Sequence, residues 1–352
     1  MAKQVWIHIG PPKTGTSAIQ KWLLGHREWL SGHGIMYPTY ELGPNGISSG
    51  HVHTVLSEES GKFNLDKNKV EALLSEFERS EQQILLLSSE HFFYHVEALA
   101  EAFTKVRFIA YVRCPIETFE SVYNQSVKRH GKAEQLVFSH NLHTTTLDRL
   151  SRLATELPRQ KFYFRAYLQS TESFNLVADF LAVLKLDYSV ENEKTNPSYT
   201  FEALETKRWL NRFTLNELDA EIDQALQAVA VGTTDYSLLP DDKKARHLKQ
   251  CIQNLRLFHT QHHIKNARML LNAVSKREHL AVVSQDNLPG AIELISRQLS
   301  MTNPDLYQRI CQALSQQDCG KDDQALVDLF SRFQKKKTLG SKIRQIAKRF
   351  VG

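Results

Sequence analysis

The chain has 352 residues, 41% hydrophobic and 24% charged, with a formal net charge of +5. That length suits one large α/β domain with an appendage, or two domains, and the composition is that of an ordinary globular protein with a sizeable core. The charge is lopsided: from Ser331 onward there are eight basic residues and no acidic one, so the rest of the chain is net −3. A mildly acidic body argues against a nucleic-acid groove across it.

No run of eighteen apolar residues occurs, so no membrane-spanning helix is expected. The opening "MAKQVWIHIG" passes directly into a strand pattern, without the apolar run or cleavage pattern of a secretory signal. Cys114, Cys251, Cys311 and Cys319 form no CxxC pair, which reads as reduced thiols in a cytoplasmic protein.

In chain order, "VWIHI" (5–9) is a short β-branched apolar run and predicts a buried strand. Residues 16–30 place Ile19, Trp22, Leu23 and Leu30 at helical spacing, and Gly32 and Gly34 then end that helix. "GIMYP" reads as a strand stopped by Pro38, followed by a loop rich in Gly, Ser and Asn. Residues 67–79 read as helix, 83–90 and 106–113 as buried strands, and Pro115 as the first residue of another helix. "KFYFRAY" (161–167) is a further core strand, and 172–186 is amphipathic. Beyond about residue 200 the pattern is helical over 201–230, 242–280, 289–300 and 304–333. Alternating strands and helices predict a mainly parallel sheet. The expected fold is α/β, a P-loop-type parallel sheet flanked by helices. Residues 1–200 form its core, 201–334 a helical extension, and 335–352 a basic tail.

Ligands of such sheets bind at the carboxyl ends of the strands. Three polar clusters fall at three such ends: 10–18, 88–91 and 113–121. In "GPPKTGTS", Gly10 and Gly15 permit a tight turn with open amides, the helix that follows turns its positive end toward an anion, and Lys13 adds a charge. The glycine spacing matches the nucleoside-triphosphatase loop, but Thr16 stands where the lysine of that motif belongs. No strand ends in the aspartate that holds magnesium in those enzymes, so a metal-free site for a sulfonyl group is expected. At the third cluster, Arg113 suits bidentate capture of a phosphate and Ser121 adds a hydroxyl.

"PPKTGTS" after a strand, followed by "YVRCPIETFESVY", resembles the sulfotransferases that use 3′-phosphoadenosine 5′-phosphosulfate (PAPS). "NPSYTFEALETKRWLN" (196–211) is similar to a segment of bacterial members with carbohydrate-like acceptors. The resemblance covers roughly residues 5–211. One departure is Cys114, where the family often has Asp. The resemblance implies that Pro12, Lys13, Thr14, Gly15, Thr16, Ser17 and Ala18 surround the 5′-phosphosulfate. Lys13 would steady the bridging oxygen and the departing phosphate. Arg113 and Ser121 would select the 3′-phosphate.

An acceptor hydroxyl then needs a base. Glu90 in "LLLSSEHFF" is one candidate, at a strand end where partial burial would raise its pKa; capping or an ion pair is the plain alternative. His51 and His53 in "SGHVH" are others, with both rings on one side if the loop is extended. Ser88 and Ser89 fit capping better than ligand binding. The tail "LGSKIRQIAKRFVG" reads as a basic amphipathic helix for an anionic membrane surface, against a helix docked on the body. It would place a carbohydrate or glycolipid acceptor at the inner membrane face. The rivals to a PAPS-dependent sulfotransferase are an ATP-dependent kinase of a small molecule and a non-catalytic, membrane-associated nucleotide-binding protein.

Overall fold

The computed structural model describes residues 3–42, 48–168, 174–189, 198–215 and 217–334. The tail helix expected over 339–350 lies outside the described residues. The chain divides into two compact units. The first comprises 1–122, 137–195 and 239–280; the second comprises 123–136, 196–238 and 281–352.

The first unit is built on β1 (Gln4–His8), β2 (Ile35–Met36), β5 (Ile84–Ser88), β6 (Arg107–Val112), β7 (Lys161–Ala166) and β9 (Ile264–Lys265). These form one sheet in the order β2-β5-β1-β6-β7-β9, every pairing parallel. The chain fills β2 and β5 on one side of β1, then crosses to β6 on the other. The direction of winding therefore reverses between β1 and β6, with all strands still parallel. Trp6, Leu86, Ile109 and Tyr111 bury one face under Ile19, Leu23, Phe180 and Leu181 of α1 (Thr16–Gly25) and α8 (Leu176–Val183). Ile7, Leu85, Leu87, Phe108 and Val112 are equally buried on the other face, as strands covered on both sides must be.

Further helices of this unit are α2 (Arg27–Gly32), α3 (Val52–Val55), α4 (Lys67–Arg79) and α5 (Val96–Ala102). With them come α7 (Thr145–Glu156), α11 (Asp241–His262) and α12 (Ala267–Lys276), while α6 (Pro115–Arg129) begins in the first unit. Asp66 caps α4, its carboxylate accepting from the amides of Asn68 and Lys69 at 3.0 and 3.2 Å. Across β6, β7 and α8, Asp179 accepts from the Tyr111 hydroxyl at 3.0 Å and the Asn266 amide at 3.0 Å, and is ion-paired with Arg165.

Three details depart from the sequence reading. The helix expected over 16–30 is two helices, because His26 leaves helical geometry (φ −117°, ψ 25°) with its ring stacked on Trp22. Residues 56–65 form a hairpin, β3 (Leu56–Glu59) and β4 (Lys62–Leu65), turned by Ser60 and Gly61 at φ 52° and 77°. The helical stretch 242–280 is interrupted by β9, flanked by His263 and Asn266 in left-handed conformations.

The second unit is mainly helical: α9 (Phe201–Leu210), α10 (Asp219–Gln227), α13 (Leu288–Thr302), α14 (Pro304–Ser315) and α15 (Lys321–Ser331). A short parallel pair, β8 (Tyr236–Ser237) and β10 (Ala281–Val282), joins them. Helix α9 is buried on nearly all sides. Its Arg208–Glu205 ion pair is enclosed, and Gln285 donates to the same carboxylate at 2.7 Å, as a buried charge pair requires.

Candidate functional site

Parallel strands deliver their following loops to one edge. His8 pairs with Ser88 in β5 and Ile109 in β6, so the loops after β1, β5 and β6 leave the sheet side by side. All three clusters meet there. A Cβ at Gly10 would lie 3.1 Å from Glu90 Cα, so the first loop passes directly over the second. Arg113 Nη1 donates to the Lys13 carbonyl at 2.7 Å, which ties the third loop to the first.

The loop turns tightly and leaves backbone amides open. Gly10, Lys13 and Gly15 take φ of 45°, 62° and 75°, so successive peptides turn inward. Helix α1 starts at Thr16 with no side-chain cap on its first turn. The amides of Thr14, Gly15, Thr16 and Ser17 donate to no other described residue. Four consecutive open N–H groups at the positive end of a helix are what a phosphate or sulfate needs. Ala18 is a correction: its amide donates to the Gly15 carbonyl at 3.1 Å and is closed to a ligand. The Thr14 hydroxyl likewise donates to the Pro11 carbonyl at 2.6 Å, which leaves Thr14 only its amide. Thr16 is buried and Ser17 exposed. Pro12, which has no amide, is half-buried and lines a neighbouring cavity.

Arg113 is held more firmly than the sequence suggested. Its Nε lies 3.3 Å from Glu117, its guanidinium stacks 4.9 Å from the Tyr167 ring centroid, and its side chain is 10% exposed. Glu117 in turn faces Arg277 at 3.5 Å, and Arg277 is ion-paired with Glu120. Two guanidinium N–H groups are thus engaged, and three of the five have no partner among the described residues. Arg113 braces the loop through the Lys13 carbonyl as well as presenting charge beside it. Ser121 lies on α6 one turn beyond Glu117, half-buried and not hydrogen-bonded to Arg113.

A cavity of about 210 Å³ opens beside the loop, lined by Pro12, Thr14, Arg113, Phe119, His143 and Leu147 among others. It is smaller than the ~300–1,000 Å³ of ordinary ligand pockets and by itself takes only part of a nucleotide.

The candidate bases fare differently. Glu90 is exposed, not partly buried, and caps nothing. Its position above Gly10 nonetheless keeps it at the site. His51 cannot be the base. Its ring is fully buried, Nδ1 accepts from the Ser88 amide at 3.0 Å, and Nε2–H donates to the Pro38 carbonyl at 2.9 Å. Burial pushes its pKa down to about 4, and neither nitrogen is open to a substrate. His53 is exposed and sits on α3, its ring 5.6 Å from Phe63, so the two histidines do not share a side. Ser89 fastens the loop before α3 to the site, its hydroxyl donating to the Ser49 carbonyl at 2.6 Å. Ser88 Oγ meets the buried ring of His8 at 2.9 Å.

Sequence reasoning missed Glu117, Tyr167 and Arg277. Glu117 was within reach, since it stands four residues after Arg113; the other two come from distant segments and left no local signal. Compared with protein-family models, with curated proteins and with solved structures, the chain matches none.

Proposed function

We propose that the protein is a PAPS-dependent sulfotransferase that moves a sulfonyl group to a hydroxyl of a carbohydrate or glycolipid. The observation that carries this reading is the meeting of the open-amide loop that includes Lys13 with Arg113 and Glu90 at the carboxyl edge of the sheet, beside the β1–β6 point where its winding reverses. The loop amides would hold the 5′-phosphosulfate, and Lys13 would stabilise charge growing on the bridging oxygen as the S–O bond breaks. The free N–H groups of Arg113 would meet the 3′-phosphate. Glu90 would take the proton of the acceptor hydroxyl as its oxygen attacks sulfur from the opposite side. The sulfonyl group leaves one oxygen and joins another, the proton passes to the carboxylate, and 3′,5′-bisphosphoadenosine departs.

The test is incubation of the purified chain with PAPS labelled at sulfur and extracts of cell glycans and lipids. The reading expects label in a glycan or lipid fraction, lost in Lys13→Ala. Phosphoryl transfer from ATP instead, abolished by a chelator, would make the chain a kinase. Tight bisphosphoadenosine binding without transfer to any acceptor would make it a nucleotide-binding protein.

A further inference from the structure

A second recess of the first unit lies between α2, β2, α3 and α4, and shares no lining residue with the Gly10–Ser17 loop, Glu90 or Arg113. Its volume is about 540 Å³, inside the ~300–1,000 Å³ range of small-ligand pockets. Arg27, Lys69 and His53 line it against one carboxylate, that of Glu76. The two long cations are fixed in place. Arg27 Nε donates to the Tyr37 carbonyl at 2.9 Å, and Lys69 Nζ donates to the carbonyls of His53 and Leu56 at 3.1 and 2.9 Å. Among the described residues this leaves four guanidinium N–H groups of Arg27 and one ammonium N–H of Lys69 for a ligand. Half-buried Met36 and Pro38 and the exposed Ala72 add apolar lining. Arg27 is exposed and Lys69 half-buried, and cations already tied to carbonyls lose less side-chain entropy on capturing an anion. Apolar lining beside polar groups suits a ring that has C–H faces and equatorial hydroxyls.

We propose that this recess binds a small anionic sugar, with Arg27 and Lys69 on the anionic group and the sugar ring against Met36 and Pro38. The proposal does not depend on the sulfotransferase reading, since no residue is shared. The chemistry is common to a sugar phosphate and a uronic acid, and the test separates them.

The full chain is titrated calorimetrically with glucose 6-phosphate, glucuronate, glucose and inorganic phosphate. One anionic sugar is expected to bind one per chain, with glucose and phosphate each at least about tenfold weaker. Arg27→Gln should weaken that binding about tenfold, the size of one charge-assisted hydrogen bond. Because Lys69 also ties two backbone carbonyls, the second variant is the exposed Glu76→Gln, which removes the opposing charge and should tighten binding severalfold without disturbing the fold. The proposal is overturned if neither anionic sugar binds at millimolar concentration, if phosphate alone binds as well as glucose 6-phosphate, or if both variants bind like the parent chain. Binding of bisphosphoadenosine measured alongside reports on the other site separately.

Discussion

His51→Gln separates a structural histidine from a catalytic one. In the native state the neutral ring joins the Ser88 amide to the Pro38 carbonyl inside the protein, and its pKa falls from 6.5 to about 4. The unfolded chain takes up that proton near pH 6.5. The stabilisation from keeping the ring neutral is therefore complete above pH 6.5, declines as pH falls toward 4, and is flat below. A shift of roughly 2.5 pH units corresponds to about 3 kcal/mol. His8 behaves alike: burial lowers its pKa to about 3, so its share, about 5 kcal/mol by the same conversion, disappears over pH 6.5 to 3. Urea midpoints measured from pH 7.5 to 4 should show stability falling with pH, the two buried histidines together contributing about 3 kcal/mol per pH unit at most. His51→Gln should reduce that slope by about 1.4 kcal/mol per pH unit. At pH 7.5 it should lose about 2–4 kcal/mol, for two buried groups left imperfectly paired. Turnover per folded molecule should be unchanged. A flat pH profile, an unaltered slope in the variant, or a stable variant without turnover would each refute the assignment.

Two further substitutions probe the loop and the base. Gly15→Ala places a Cβ 2.3 Å from Leu176 Cδ2 and 3.1 Å from Tyr167 Cε2 at φ 75°, and should cost about 2–4 kcal/mol by denaturant unfolding. Gly25→Ala, with nothing within 4 Å, should be near neutral, and equal effects at the two glycines would contradict the loop geometry. Glu90→Gln changes an exposed residue, so stability should stay within about 0.5 kcal/mol while sulfonyl transfer falls about 10²–10⁴-fold; unchanged transfer would remove Glu90 as base.

Much of this was legible because the relevant forces are local. The apolar runs at 5–9, 83–90, 106–113 and 161–167 each became a sheet strand, and Asp66 starts α4 where its side chain can hold two amides. The convergence of three loops followed from parallel strands alone. What was not legible depends on distant partners. The burial of His51 is decided by Pro38 and Ser88, and the clamping of Arg113 by Lys13, Tyr167 and the Arg277 network. β9 is two residues long and pairs with β7 across about a hundred residues, too short to interrupt a helical pattern on the page. The Ser60–Gly61 turn was a local signal that the alternation around it was too weak to complete.

The central claim is that the Gly10–Ser17 loop and Arg113 grip opposite ends of one doubly phosphorylated adenosine. Calorimetric titration with 3′,5′-bisphosphoadenosine and with 5′-AMP tests it most directly. The account predicts that the bisphosphate binds at least about tenfold tighter, and that Arg113→Lys erases that preference. Equal affinities for the two nucleotides, or a preference that survives Arg113→Lys, would contradict it.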